Sequence, residues 1–165
     1  MSRSLIALSL TALAVLPSVA HAGPPWISIE LPANPYDRAT KGAFLVVHAF
    51  HHGTPVGFPV SGKAEGIVNG QRKSIELKFE RTDSDGAYVL KNQWGTEGEW
   101  TLVISVAQGE DDKVTALVQV SGAEVFSVKG PTERRGEWDI PKKVSMADVE
   151  ATLRDRSNRV LGGKQ

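Results

Sequence analysis

Residues 85–107, DGAYVLKNQWGTEGEWTLVISVA, decide the fold of this chain, because two apolar segments of period two flank a short stretch marked by glycines. Trp100, Leu102, Ile104 and Val106 fall on one face of an extended strand and Thr101 and Ser105 on the other. Tyr88 and Leu90 begin the same alternation upstream. Gly95 and Gly98 bracket the connection at positions where a reversing chain needs positive φ, so the stretch reads as a β-hairpin preceded by an Asp85-Gly86 turn.

The pattern continues on both sides. WISIEL, residues 26–31, alternates apolar and polar and is closed by Pro32 and Pro35. AFLVVHAF, residues 43–50, is apolar on both faces and rich in strand-favouring residues, which suits a central, covered strand. Val56 to Val60 reads as a short edge strand interrupted by Pro59. Asn69-Gly70 lies between residues 65–68 and a strand over 74–79, the arrangement of a tight hairpin, with Ile75, Leu77 and Phe79 inward and Glu76, Lys78 and Glu80 outward. After a polar turn at residues 108–113 come strands over 114–120 and 125–128, separated by Ser121-Gly122. About eight short strands with no helix among them indicate an all-β fold, an immunoglobulin-like antiparallel β-sandwich; an eight-stranded barrel is the competing arrangement.

The chain opens with Arg3, an uncharged, largely apolar run from Leu5 to Leu16 that includes Ser9 and Thr11, and Pro17-Ser18-Val19-Ala20-His21-Ala22, which ends in small residues at the spacing of a signal-peptidase site. Residues 1–22 are therefore expected to be a signal peptide, and the protein periplasmic or secreted. No segment approaches the roughly 20 apolar residues of a spanning helix. The sequence has no cysteine, so neither a lipoprotein anchor nor a disulfide framework is available, and burial alone must hold the domain. Residues 23–130 are expected to form the sandwich and 131–165 a linker and C-terminal helix, the first part carrying a small acidic excess and the tail a small basic one. No nucleic-acid partner is implied.

Residues 131–141 read as an extended polar linker carrying Trp138, and the helix is expected to begin at Met146. Ser145 is placed to cap the free amides, Asp148 completes a capping box, and Val144 with Val149 forms a hydrophobic staple. Met146, Val149, Leu153 and Val160 drift along one side, and Gly162-Gly163 ends the helix. Packing on its own sandwich is the favoured role for this helix, ahead of partner binding.

After the signal, histidine occurs only at His48, His51 and His52, and imidazoles converging at a strand end suit copper or zinc. His48 shares its strand face with Phe44, Val46 and Phe50, which suits a hydrogen-bonded structural histidine instead, and the adjacent His51 and His52 point different ways along a continuing strand. The acidic turns at residues 82–86 and 110–112 lack the ligand spacing of a calcium loop. Trp94 and Trp100 flank Gly95 and are read as core fillers. No G-x-S-x-G elbow, H-E-x-x-H pair or glycine-rich phosphate loop occurs, so no enzyme and no cofactor are expected.

Signal cleavage is expected after Ala22, with Ala20 as the second possibility. A cut after Ala20 would leave His21 first, offering amine and ring nitrogen together to copper, which resembles CopC-like copper carriers. G-x-Y at Gly86 to Tyr88 followed by EGEWTLVI at residues 97–104 resembles the YtkA-like and FixH-like group of exported sandwich domains. That resemblance implies an accessory or binding module of the cell envelope, some members being linked to copper handling. Met146 is the only methionine after the signal, so no methionine-rich copper site carries over. The leading expectation is an exported, non-enzymatic binding or accessory module with an envelope protein as partner, contacted through the His51 to Pro55 loop and the tail helix. The alternative is a copper or zinc accessory protein using His48 with His51 or His52.

Overall fold

A computed structural model of the chain describes residues 23–162, with side chains described through residue 154. The export signal read over residues 1–22 lies outside the described residues.

Twelve strands and one α-helix are present among these residues. The first sheet is built from β1 (Trp26–Glu30), β2 (Leu45–His51), β7 (Ala87–Leu90) and β6 (Phe79–Arg81) in that order, with β3 (Thr54–Pro55) paired to the end of β2. The second runs β10 (Glu124–Lys129), β9 (Lys113–Ser121), β8 (Glu99–Ala107), β4 (Val60–Val68) and β5 (Gln71–Glu76). All pairings are antiparallel. The order β1-β2-β7-β6 facing β5-β4-β8-β9 is that of an immunoglobulin sandwich, strands A-B-E-D against C′-C-F-G, with β10 added at the end. The expected sandwich is therefore present and the barrel is not.

The core lies between the sheets. Leu45, Val47, Ala49, Tyr88 and Leu90 from the first meet Ala64, Trp100, Leu102, Ile104, Val106, Val118 and Val120 from the second, and Ile75, Phe79 and Val125 pack at the margin. The alternation read in residues 100–106 is thus the core face of β8. Gly66 sits directly across from Trp100 in the β4–β8 ladder, where a side chain would collide with the indole. Asn69 and Gly70 both adopt positive φ, as a two-residue hairpin demands.

Four expectations are corrected. Residues 85–107 are not a hairpin: β7 and β8 belong to different sheets, and residues 91–98 carry the chain across the sandwich. Gly95 and Gly98 do take positive φ, but they shape a crossover in which Trp94 is buried, its indole N–H donating to the Gly122 carbonyl at 3.1 Å and its ring meeting Phe44 edge-on. The strand over 74–79 is broken, because β5 ends at Glu76 and β6 starts at Phe79 in the opposite sheet. The Leu77 amide turns to the Gly62 carbonyl and the Lys78 amide to Gln93 Oε1, so the chain changes layer while staying extended and its alternation survives. No strand spans residues 56–59, whereas β4 starts at Val60 and is nine residues long. The linker over 131–141 contains a separate hairpin of β11 (Thr132–Arg135) and β12 (Trp138–Pro141), turned by Gly136 at positive φ.

The helix α1 (Met146–Gly162) starts where expected, with Ser145 Oγ accepting from the Asp148 amide and the Ser145 amide donating to Asp148 Oδ2 at 2.9 Å. It covers the outer face of the second sheet. Val149 and Leu153 are buried with Leu117, flanked by Ile67, Val103 and Val144. Beside them Thr101 and Thr152 exchange a 2.8 Å hydrogen bond, and Gln119 donates to the Thr152 carbonyl. Arg72 joins the buried Glu65 to Glu150 on the helix, and although burial opposes its charge, those two carboxylates hold the guanidinium above its ordinary pKa. No helix among the described residues is long and apolar enough to cross a membrane.

Candidate functional site

The first sheet turns its other face outward, and β1 and β2 define what that face shows. Their register sets Trp26 opposite Phe50, Ser28 opposite His48 and Glu30 opposite Val46. Cross-strand partners share a face, so one surface carries an aromatic pair at one end and a histidine–glutamate pair further along. Ile27 and Ile29 alternate inward and pack on the core, which fixes the outward direction of Trp26, Ser28 and Glu30.

Within this surface His48 Nε2 lies 2.8 Å from Glu30 Oε2, and its ring stacks on Phe50 at 6.3 Å. The second oxygen of Glu30 accepts from the Asn34 amide at 2.9 Å. These bonds, His48 first and Asn34 next, hold the Glu30 carboxyl below its ordinary value. Trp26 is 68% exposed beside them. A shallow hollow of about 270 Å³ is lined by Trp26, Ile27, Ser28, Phe50 and Gly53, and a second of about 190 Å³ lies between Trp26 and the β11–β12 hairpin, bounded by Pro25, Pro131, Asp139 and Pro141. Trp26 lines both hollows.

The three histidines are not brought together. His51 is three residues beyond His48 on β2 and so points to the opposite side of the strand, where Nε2 donates to the Gly23 carbonyl at 3.1 Å and the ring tilts against Phe58. His52 turns the corner at positive φ, and its ring meets that of His51 at 4.2 Å. The pair His51–His52 is a real contact, while His48 is committed to Glu30. Among the described residues no group of three histidine, aspartate or glutamate side chains is placed to hold a metal ion.

The remaining candidates resolve into structure. Residues 82–86 form the β6–β7 turn, with the Thr82 amide bonded to the Ala87 carbonyl and Asp85 facing Arg81. Trp94 and Trp100 are core residues. Thr40, Glu65, Thr101, Ser105, Thr115 and Gln119, the buried polar side chains among the described residues, each have a partner inside the fold. Sequence reasoning missed Trp26. The signal was present, since in WISIE the tryptophan has the parity of Ser28 and Glu30 and therefore belongs to the wettable face of an amphipathic strand.

Comparison with protein-family models, with curated proteins and with solved structures finds no match.

Proposed function

We propose that the protein is an exported, non-enzymatic binding or accessory module of the cell envelope that holds its partner on the outward face of β1 and β2. The observation that carries this reading is Trp26, a large aromatic left 68% exposed beside Phe50 and between two hollows. Exposed aromatics of this kind are the usual energetic centres of binding surfaces. The export signal of the sequence supports the envelope as the setting. The absence of a catalytic motif from the sequence, together with the engagement of each buried polar side chain described, supports binding over catalysis. Gly53 lines the Trp26 hollow, so the loop expected to make contact borders this surface; the tail helix instead spends Val149 and Leu153 on its own sheet.

The test is affinity capture from envelope extract with the wild-type chain, Trp26→Ala and Met146→Ala as baits. A partner retained by wild type and Met146→Ala and lost with Trp26→Ala is the expected result, and equal capture by all three refutes the assignment. A copper or zinc accessory role is the second reading, favoured by the ring contact of His51 with His52. Metal titration of wild type and a His51→Ala, His52→Ala variant separates the two: micromolar binding lost in the variant establishes the metal role, and no binding removes it.

A further inference from the structure

The second sheet ends in β10, which has β9 on one side and no strand on the other among the described residues. Exposed strand edges are normally blocked by brevity, charge, proline or a bulge. The other outer strands follow that rule: β1 lies between Pro25 and Pro32, β5 carries Arg72 and Lys73, and β6 has three residues. β10 is six residues long, has a bulge and carries charges of opposite sign at its two ends, Glu124 and Lys129, and it leaves Val128 46% exposed.

Its ladder contains a bulge. Val125 pairs with Val120 and Ser127 with Gln119, so Phe126 is the extra residue. In a regular strand residues 124 and 129 would point to opposite faces. The bulge resets the alternation, and the register shows the outcome. Val125 and Val128 stand opposite Val120 and Val118 on the core side, whereas Glu124, Ser127 and Lys129 stand opposite Ser121, Gln119 and Leu117 on the side of the helix. Glu124 and Lys129 therefore share a face, at opposite ends of the strand.

We propose that β10 pairs antiparallel with β10 of a second copy of this chain, about a two-fold axis normal to the sheet near Phe126. Such an axis sets like faces together. Glu124 of each copy then lies opposite Lys129 of the other, and Val125 lies opposite Val128, so both charge pairs are complementary and both half-exposed valines are covered. Neither Glu124 nor Lys129 has an ion-pair partner among the described residues. A one-residue slip sets core-side residues against helix-side ones, and the other antiparallel registers lose the glutamate–lysine pairs, so one alignment is selected. The contact is smaller than the roughly 1,200–2,000 Å² of standard interfaces, so the dimer is weak and concentration-dependent.

Sedimentation velocity on the purified chain, over a concentration series reaching about a millimolar, tests this with two charge variants. Glu124→Lys and Lys129→Glu each place like charges opposite one another twice, and each is expected to raise the dimer dissociation constant about tenfold. Mixed together, the two variants restore both opposite-charge pairs and form a heterodimer as tight as the wild-type dimer. That recovery also shows that each variant is folded. A wild-type chain that stays monomeric throughout, a dimer indifferent to both substitutions, or variants that fail to associate when mixed although their circular dichroism is native would each overturn the proposal.

Discussion

Truncating Leu153 to alanine tests whether the C-terminal helix is part of one cooperative unit. Leu153 is 1% exposed and lies with Val149 and Leu117 on the outer face of the second sheet. Removing three carbons from a buried leucine forfeits about 2.4 kcal/mol of transfer free energy at about 0.8 kcal/mol per methylene, and an unrelaxed cavity adds to that. Ile67, Val103 and Val144 around the site are only partly buried, which lets the cluster close over part of the void. The expected loss is therefore about 2–3 kcal/mol, near the lower end of the leucine-to-alanine range. For a chain of this size that lowers Tm by about 10 °C. Met146→Ala, on a residue 59% exposed in the same helix, should change stability by less than about 0.5 kcal/mol. Urea unfolding followed by far-ultraviolet circular dichroism and by tryptophan fluorescence reads both quantities, since Trp94 and Trp100 report on the core between the sheets. Coincident transitions shifted together by Leu153→Ala are expected. A Leu153→Ala chain as stable as wild type, or a helical signal that melts separately from the tryptophan signal, would refute the docking of α1 as a stabilising contact.

Two further changes probe the sandwich and its outward face. Gly66→Ala brings a methyl to 2.3 Å from Trp100 Cε3 and 2.9 Å from the Glu99 carbonyl, so the ring must move; a loss of about 2–3 kcal/mol in urea unfolding, with a changed near-ultraviolet spectrum, is expected, and an unchanged midpoint would contradict the packing. Glu30 has a folded pKa below its ordinary 4.5, so its bonds to His48 and Asn34 add stability that is complete above that value and lost as the pH falls through the lower folded one. Because Glu30 is about one-third exposed, the contribution is screened to under about 1 kcal/mol, and Glu30→Gln should be less stable than wild type at neutral pH with the gap closing as the pH falls below 4.5; a gap independent of pH would rule the pair out.

Two of the corrected elements share one cause. Period-two alternation states that a chain is extended and which residues face the core, and it is blind to the sheet in which the strand pairs. Residues 74–80 alternate without interruption while passing from one sheet to the other at Leu77, because both sheets turn their apolar faces to the same core. Residues 91–98 show the same ambiguity, since two glycines at positive φ serve a crossover as well as a hairpin.

Local rules alone determined the inward faces of β5 and β8, the Asn69-Gly70 turn and the capped start of α1, because each depends on residues within one or two turns of the chain. Tertiary structure decided the rest. Whether His48 meets His51 or Glu30 depends on a strand eighteen residues away, and whether Thr101 meets water or Thr152 depends on a helix about fifty residues away. Trp26 stands between these cases: its outward parity is local, but the Phe50 beside it and the hollows that make it a binding surface come from chain segments brought together only by folding. Contacts between distant segments are selected by the packing of the whole core, and a pattern within one segment carries no record of its neighbour.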